Sequence, residues 1–130
     1  MSGMATILIV EDEFAIAELL EMVLVDEGYS VLRASNGRQG LERLANDSRP
    51  DLVISDYMMP ILDGASMIQT MRGNEAQRDI PYIIMSSMPE DNVRQRIQGY
   101  ASFVRKPFHL LKVVELVATI LGPISSTHSA

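Results

Sequence analysis

Five short apolar runs divide this chain, and each is followed by a stretch whose apolar residues recur with a helical period. The runs are Thr6–Val10, residues 29–34, Leu52–Asp56, residues 81–85 and Ser102–Arg105. Apolar runs of this length, bounded by turn residues, read as strands buried on both faces. After the first run, Ile16, Leu20, Val23 and Leu24 fall on one face of a helix. Leu41, Leu44 and Ala45 point inward from a second helix, and Ile68 and Met71 from a third over residues 65–72. A short fourth helix buries Val93 and Ile97, and a fifth covers Leu110–Leu121. Helical connections of this length join parallel neighbours. The chain is therefore α/β: a doubly wound five-stranded parallel sheet with helices on both faces. Runs one, three and four are the most apolar, so they belong in the middle of the sheet.

Punctuation supports the division. Gly28 stands where a helix-ending residue is expected. Ser35-Asn36-Gly37 offers caps for the second helix. Proline and two acids at Pro89-Glu90-Asp91 suit a first helical turn, and Gly99 is expected to end that helix. Residues 1–4 read as an N-terminal extension, residues 5–121 as one domain, and residues 122–130 as a frayed tail.

At 130 residues the chain buries roughly two-thirds of its extended surface, enough for a real core. There is no cysteine, which excludes disulfides, zinc–thiolate sites and thiol chemistry. A net charge of −6 argues against direct nucleic-acid binding. No apolar run would span a bilayer, and the start does not read as a secretion signal, so a cytoplasmic protein is expected. Only Lys106 and Lys112 among the 11 basic residues are lysines, so their positions carry information.

In open parallel sheets, ligands bind at the carboxyl ends of the strands. Run one ends in Glu11 and Asp12, run three in Asp56, run four in Ser86 and Ser87, and run five is followed by Lys106. Crowded carboxylates repel, and a hard cation resolves the repulsion. Magnesium takes oxygen ligands, uses one or two carboxylates and keeps positions that phosphate oxygens fill. Asp12 and Asp56 suit it as direct ligands, with a backbone carbonyl just after Asp56. A lysine point charge and a hydroxyl beside the same carboxylate form a set suited to phosphoryl transfer, with Asp56 as nucleophile.

Alone, each residue has a plainer role. Glu11 and Asp12 would serve as helix-start acids, Ser86 as a loop hydroxyl and Lys106 as a solvated surface lysine. Asp51 reads as a turn residue, and so does Asp63-Gly64. The methionines at 58, 59, 67, 71, 85 and 88 read as adaptable core filler. His109 and His128 have no partners at metal-ligand spacing. The last helix carries apolar residues on more than one face, which fits either a well-buried helix or an exposed strip for a dimer or partner.

Taken in order, Ile7-Leu8-Ile9-Val10-Glu11-Asp12-Glu13, Pro50 to Asp56 with Met59-Pro60 and Asp63-Gly64, Ser86, and Lys106-Pro107-Phe108 resemble a bacterial two-component response regulator receiver domain. The resemblance covers about residues 5 to 121. It implies a flavodoxin-like (βα)5 fold with strand order 2-1-3-4-5. It also implies that Asp56 accepts a phosphoryl group from a histidine kinase or phosphotransfer protein. Glu11, Asp12, Asp56 and the Met58 carbonyl would hold Mg2+, with Mn2+ as a substitute. Lys106 and Ser86 would contact the phosphoryl group, and Phe103 would be the switch aromatic of a face made by helix four, strand five and helix five. Lys106-Pro107 would be cis. The module would be no enzyme in the ordinary sense, and would act as a monomer or a phosphorylation-dependent dimer. It would be either a whole single-domain regulator or the receiver of a longer protein.

Departures from the family fall on the output half. Phe103 replaces a common tyrosine, Ser87 a small residue and Tyr100 an alanine, and the segment from Ser86 to Gly99 is short. Two other functions compete. An aspartate-nucleophile phosphatase would need a second acid that Asp56-Tyr57-Met58 lacks. A flavin or nucleotide binder would need a phosphate-cradling loop where Glu11-Asp12-Glu13 stands.

Overall fold

The computed structural model describes residues 5–46 and 49–122. The expected extension at residues 1–4, the tail beyond Gly122, His128, and part of the polar loop at 47–48 lie outside the described residues.

Strand and helix alternate throughout: β1 (Thr6–Val10), α1 (Phe14–Asp26), β2 (Ser30–Ala34), α2 (Gly37–Asn46), β3 (Leu52–Asp56), α3 (Gly64–Arg72), β4 (Tyr82–Ser86), α4 (Glu90–Arg94), β5 (Ser102–Arg105) and α5 (Leu110–Leu121). The five strands form one parallel sheet in the order β2-β1-β3-β4-β5. The apolar runs β1, β3 and β4 are central, as their composition requires.

Strand alternation sorts the core into two layers. Leu8, Val10, Val53, Tyr82 and Ile84 face α2, α3 and the α4 region, meeting Leu44, Met67, Ile68, Met71, Val93 and Ile97. Ile7, Ile9, Leu52, Ile54, Ile83 and Met85 face α1 and α5, meeting Leu20, Leu24, Val113 and Val117. Gly28 has φ 104° after α1, the left-handed conformation expected there. Asp51 is structural: its Oδ2 accepts from the Thr6 N–H at 2.8 Å and ties the start of β1 to β3.

Several expectations change. Ala45 is exposed. Met58 is not core filler, being 56% exposed, whereas Met67, Met71 and Met85 are buried. In α5, Val113 and Val117 are fully buried, Leu110, Val114, Leu116, Ile120 and Leu121 are partly buried against the core, and Leu111 is 75% exposed. Helix α1 carries more exposed apolar side chains, at Phe14, Leu19, Met22 and Val25.

Helix α4 stops at Arg94, well before Gly99. The reason lies in the next segment. The Gln98 carbonyl accepts from Arg72 Nη1 at 2.8 Å and also from the Tyr82 hydroxyl, and the Arg96 carbonyl accepts from Gln69 Nε2 at 3.4 Å. Side chains of α3 and β4 thus hold residues 95–98 on a non-helical path towards β5. Gly99, at φ 81°, ends this strap rather than the helix.

Candidate functional site

Parallel strands in this order bring the carboxyl ends of β1, β3, β4 and β5 to one rim. Oxygen atoms of Glu11, Asp12 and Asp56 lie within 4.8 Å of one another there. Lys106 reaches in from the β5–α5 loop, with its Nζ 3.0 Å from Glu11 Oε1, 3.2 Å from Asp56 Oδ2 and 3.7 Å from Glu13 Oε1. Its peptide bond to Pro107 is cis, and its own N–H donates to the Ser86 carbonyl at 2.8 Å. A cleft of about 230 Å³ opens over the cluster, lined by Asp12, Glu13, Asp56, Met58, Ser86, Ser87 and Lys106.

Each carboxylate is held differently. Asp12 is exposed to the cleft, whereas Glu11 and Asp56 are buried. The Glu13 N–H donates to Glu11 Oε2 at 3.1 Å, and the Tyr57 N–H to Asp56 Oδ1 at 3.1 Å. Burial and the neighbouring Asp56 charge push the Glu11 carboxyl up to about 7, although Lys106 and the Glu13 N–H oppose the shift. Asp56 is raised as well: burial, helped by Asp12, outweighs Lys106 and the Tyr57 N–H. Burial works against the Lys106 charge, but Glu11 and Asp56 reverse that and hold the ammonium above its ordinary range. The rim therefore carries more negative charge than one lysine neutralises.

Ser86 is buried and lines the cleft, with its Oγ accepting from the Met88 N–H at 2.9 Å. Phe103 lies apart from the carboxylates. It is half-buried on the α3–α4 side of the sheet, with its ring 6.2 Å from that of Tyr100. The Tyr100 hydroxyl donates to Glu90 Oε2 at 2.6 Å and so ties the approach to β5 to the start of α4. Sequence reading marks Tyr100 only as a departure from the family, since nothing local reveals its partner.

Two further features are invisible in the sequence. Glu13 approaches Lys106 from the exposed side. An apolar groove of about 560 Å³ adjoins the rim, walled by Ile16 and Leu19 of α1 and by Pro107, Phe108 and Leu110.

An acidic rim at the carboxyl ends of a 2-1-3-4-5 parallel sheet, with a lysine bridging two of its acids, defines a signalling receiver. The chain belongs to the response regulator receiver domain family of two-component systems, whose family model matches residues 7–118. It is 37% identical over 122 residues to the transcriptional regulatory protein PcoR of Escherichia coli, covering 91% of this chain and 52% of PcoR. The chain spans about half the length of the curated relatives it matches. Its fold matches the receiver domain of a signal transduction histidine kinase from Syntrophus aciditrophicus, with TM-score 0.82 and 35% identity over 97% of this chain and 96% of that one. It also matches the receiver domain of the Pseudomonas aeruginosa sensor histidine kinase PA1611, with TM-score 0.81 and 26% identity over 92% and 98% of the two chains. That structure has a magnesium ion coordinated in its active site cleft. Among the described residues, no helix is long and apolar enough to cross a membrane.

Proposed function

We propose that Asp56 is the phosphoacceptor of this receiver, and that a divalent cation held by Glu11, Asp12, Asp56 and the Met58 carbonyl is its cofactor. The observation that carries the proposal is the convergence of the Glu11, Asp12 and Asp56 carboxylates at the cleft, with Lys106 paired to Glu11 and Asp56. The donor set fits a hard ion: all oxygen, crowded within 4.8 Å, and carrying more charge than Lys106 balances. Magnesium fits best, and manganese accepts similar ligands. When bound, the ion supplies positive charge against the incoming phosphoryl oxygens.

The chain's own residues do the rest. An Asp56 carboxylate oxygen attacks phosphorus, forming a P–O bond as the bond to the donor's histidine nitrogen breaks. The Tyr57 N–H fixes the carboxylate, and Lys106 offers its ammonium to the transferred group. Ser86 contributes a hydroxyl once its Oγ leaves the Met88 N–H. Net transfer from a protein donor is acceptance of a signal rather than turnover of a metabolite, so the chain is a switch rather than an enzyme in the ordinary sense.

The donor is a histidine kinase or phosphotransfer protein, and the apolar groove beside Lys106 offers it a place to dock. The output is a population shift of the face made by α4, β5 and α5, with Phe103 moving and with a protein, not nucleic acid, as the direct partner. A face that changes on phosphorylation also allows a phosphorylation-dependent dimer. Calorimetric titration tests the metal site: Mg2+ should bind the wild type and bind Asp12→Asn at least about tenfold more weakly. Equal affinities would remove Asp12 from the site.

A further inference from the structure

The loop between β3 and α3 carries Met58 and is closed tightly at its base. The Gly64 N–H donates to the Tyr57 carbonyl at 2.9 Å, and Asp63 Oδ1 caps α3 by accepting from the Ser66 N–H at 2.8 Å. A Cβ at residue 64 would collide with the Asp56 carbonyl oxygen, so this closure needs glycine. Its outer side is braced by one side chain. Arg96 Nη1 donates to Asp63 Oδ2 at 3.0 Å, and the same guanidinium lies 5.9 Å from the centroid of the Tyr57 ring. One arginine therefore touches both ends of the acceptor loop.

Arg96 is not part of that loop or of α3. It belongs to the strap between α4 and β5, whose carbonyls are bound by Gln69, Arg72 and Tyr82. A planar guanidinium suits this double task, pairing with a carboxylate along its edge while presenting a charged face to an aromatic ring. The usual role of an exposed ion pair is solvated decoration. Two contacts at opposite ends of one closed loop make this pair a brace instead.

We infer that Arg96 is a positioning residue that fixes the acceptor loop and couples it to the strap between α4 and β5. The coupling rests on the phosphoacceptor reading of Asp56; the brace itself does not. It is a contact from the site to the output face separate from Ser86 and Phe103. Coupling is reciprocal, so what stiffens the loop also orders the strap.

Amide NMR on the full chain tests this with Arg96→Gln and Arg96→Lys. In metal-free protein, hydrogen exchange at the Gly64 amide, measured against β1 and β3 amides, should quicken about two- to five-fold in Arg96→Gln. Arg96→Lys should restore part of the protection, because it keeps the charge and loses the planar face. With Mg2+ and beryllofluoride added as a phosphoryl stand-in, residues 95–101 should shift in the wild type. In Arg96→Gln that response should shrink while Asp56 and Tyr57 still respond. Unchanged Gly64 exchange in Arg96→Gln would overturn the inference whatever the second arm gives. A full response at 95–101 in that variant would overturn the coupling. A wild type whose Asp56 and Tyr57 amides ignore beryllofluoride would count against the phosphoacceptor reading, and the exchange arm would still decide the brace.

Discussion

The Lys106 ammonium sits 3.2 Å from Asp56 Oδ2 and also touches the fully buried side chain of Glu11. One cation thus serves two acids from different strands. Removing it leaves buried negative charge without its partner. Lys106→Met should therefore cost about 1–3 kcal/mol of stability in chelator, the penalty for an unsatisfied buried group. Magnesium should return part of that loss. Urea unfolding with and without Mg2+ measures both, and unchanged stability in chelator would contradict the ion-pair account.

The same crowding sets a pH dependence. The folded state holds the Glu11 proton more tightly than the unfolded chain does, with the group raised from 4.5 to about 7. Asp56 shifts in the same direction. A raised folded value gives stability that is complete below the unfolded value and is lost as pH rises through the folded one. Metal-free protein should therefore lose stability between about pH 4.5 and 7, and Mg2+ affinity should climb over that window. Asp63 does not confuse the window. Burial acts to raise it, but the Ser66 N–H and Arg96 win and hold it below its ordinary value. Its contribution fades only at more acid pH. Urea midpoints in chelator across this range check the sign, and a flat or rising curve would contradict it.

Ile61 adopts φ 71° in the acceptor loop, a left-handed conformation that a β-branched residue resists. Its side chain is 72% exposed, so little packing repays the strain. Ile61→Asn should stabilise the protein by about 1 kcal/mol. A lower denaturation midpoint in that variant would show that the isoleucine makes contacts worth more than its strain.

The groove beside Lys106 predicts a split between donors. Leu19, 47% exposed, forms part of its wall. Leu19→Glu should slow transfer from a phosphorylated histidine phosphotransfer protein by about tenfold or more, as loss of an apolar anchor does. Phosphorylation by acetyl phosphate should stay unchanged. Equal slowing with both donors would place the effect in the site rather than in docking.

Met58 bears on the lifetime of the phosphorylated state. Met58 lines the cleft, whereas Met88 packs toward the core. A thioether there orients no attacking water. The phosphoryl group should persist for far longer than seconds, and Met58→Asn should shorten its life. Loss within seconds in the wild type, followed by intact mass, would contradict this.

What was legible in the sequence was what strand periodicity controls. The ends of Thr6–Val10, Leu52–Asp56 and Ser102–Arg105 place Glu11, Asp56 and Lys106, because parallel buried strands share one direction and the polar residues at their carboxyl ends mark one rim. The end of α4 was not legible. Gly99 resembles a helix terminator, but Arg72, Gln69 and Tyr82, distant in sequence, decide where the helix stops. The exposure of Met58 and the partnership of Arg96 with Asp63 and Tyr57 were hidden for the same reason. Side chains meeting across the α3 face leave no periodic trace.

Intact-mass spectrometry after incubation with acetyl phosphate bears most directly on Asp56. The wild type should gain one phosphoryl group with Mg2+ present and none in chelator, and Asp56→Asn should gain none in either condition. An adduct that forms equally without the metal, or that persists in Asp56→Asn, would contradict the account.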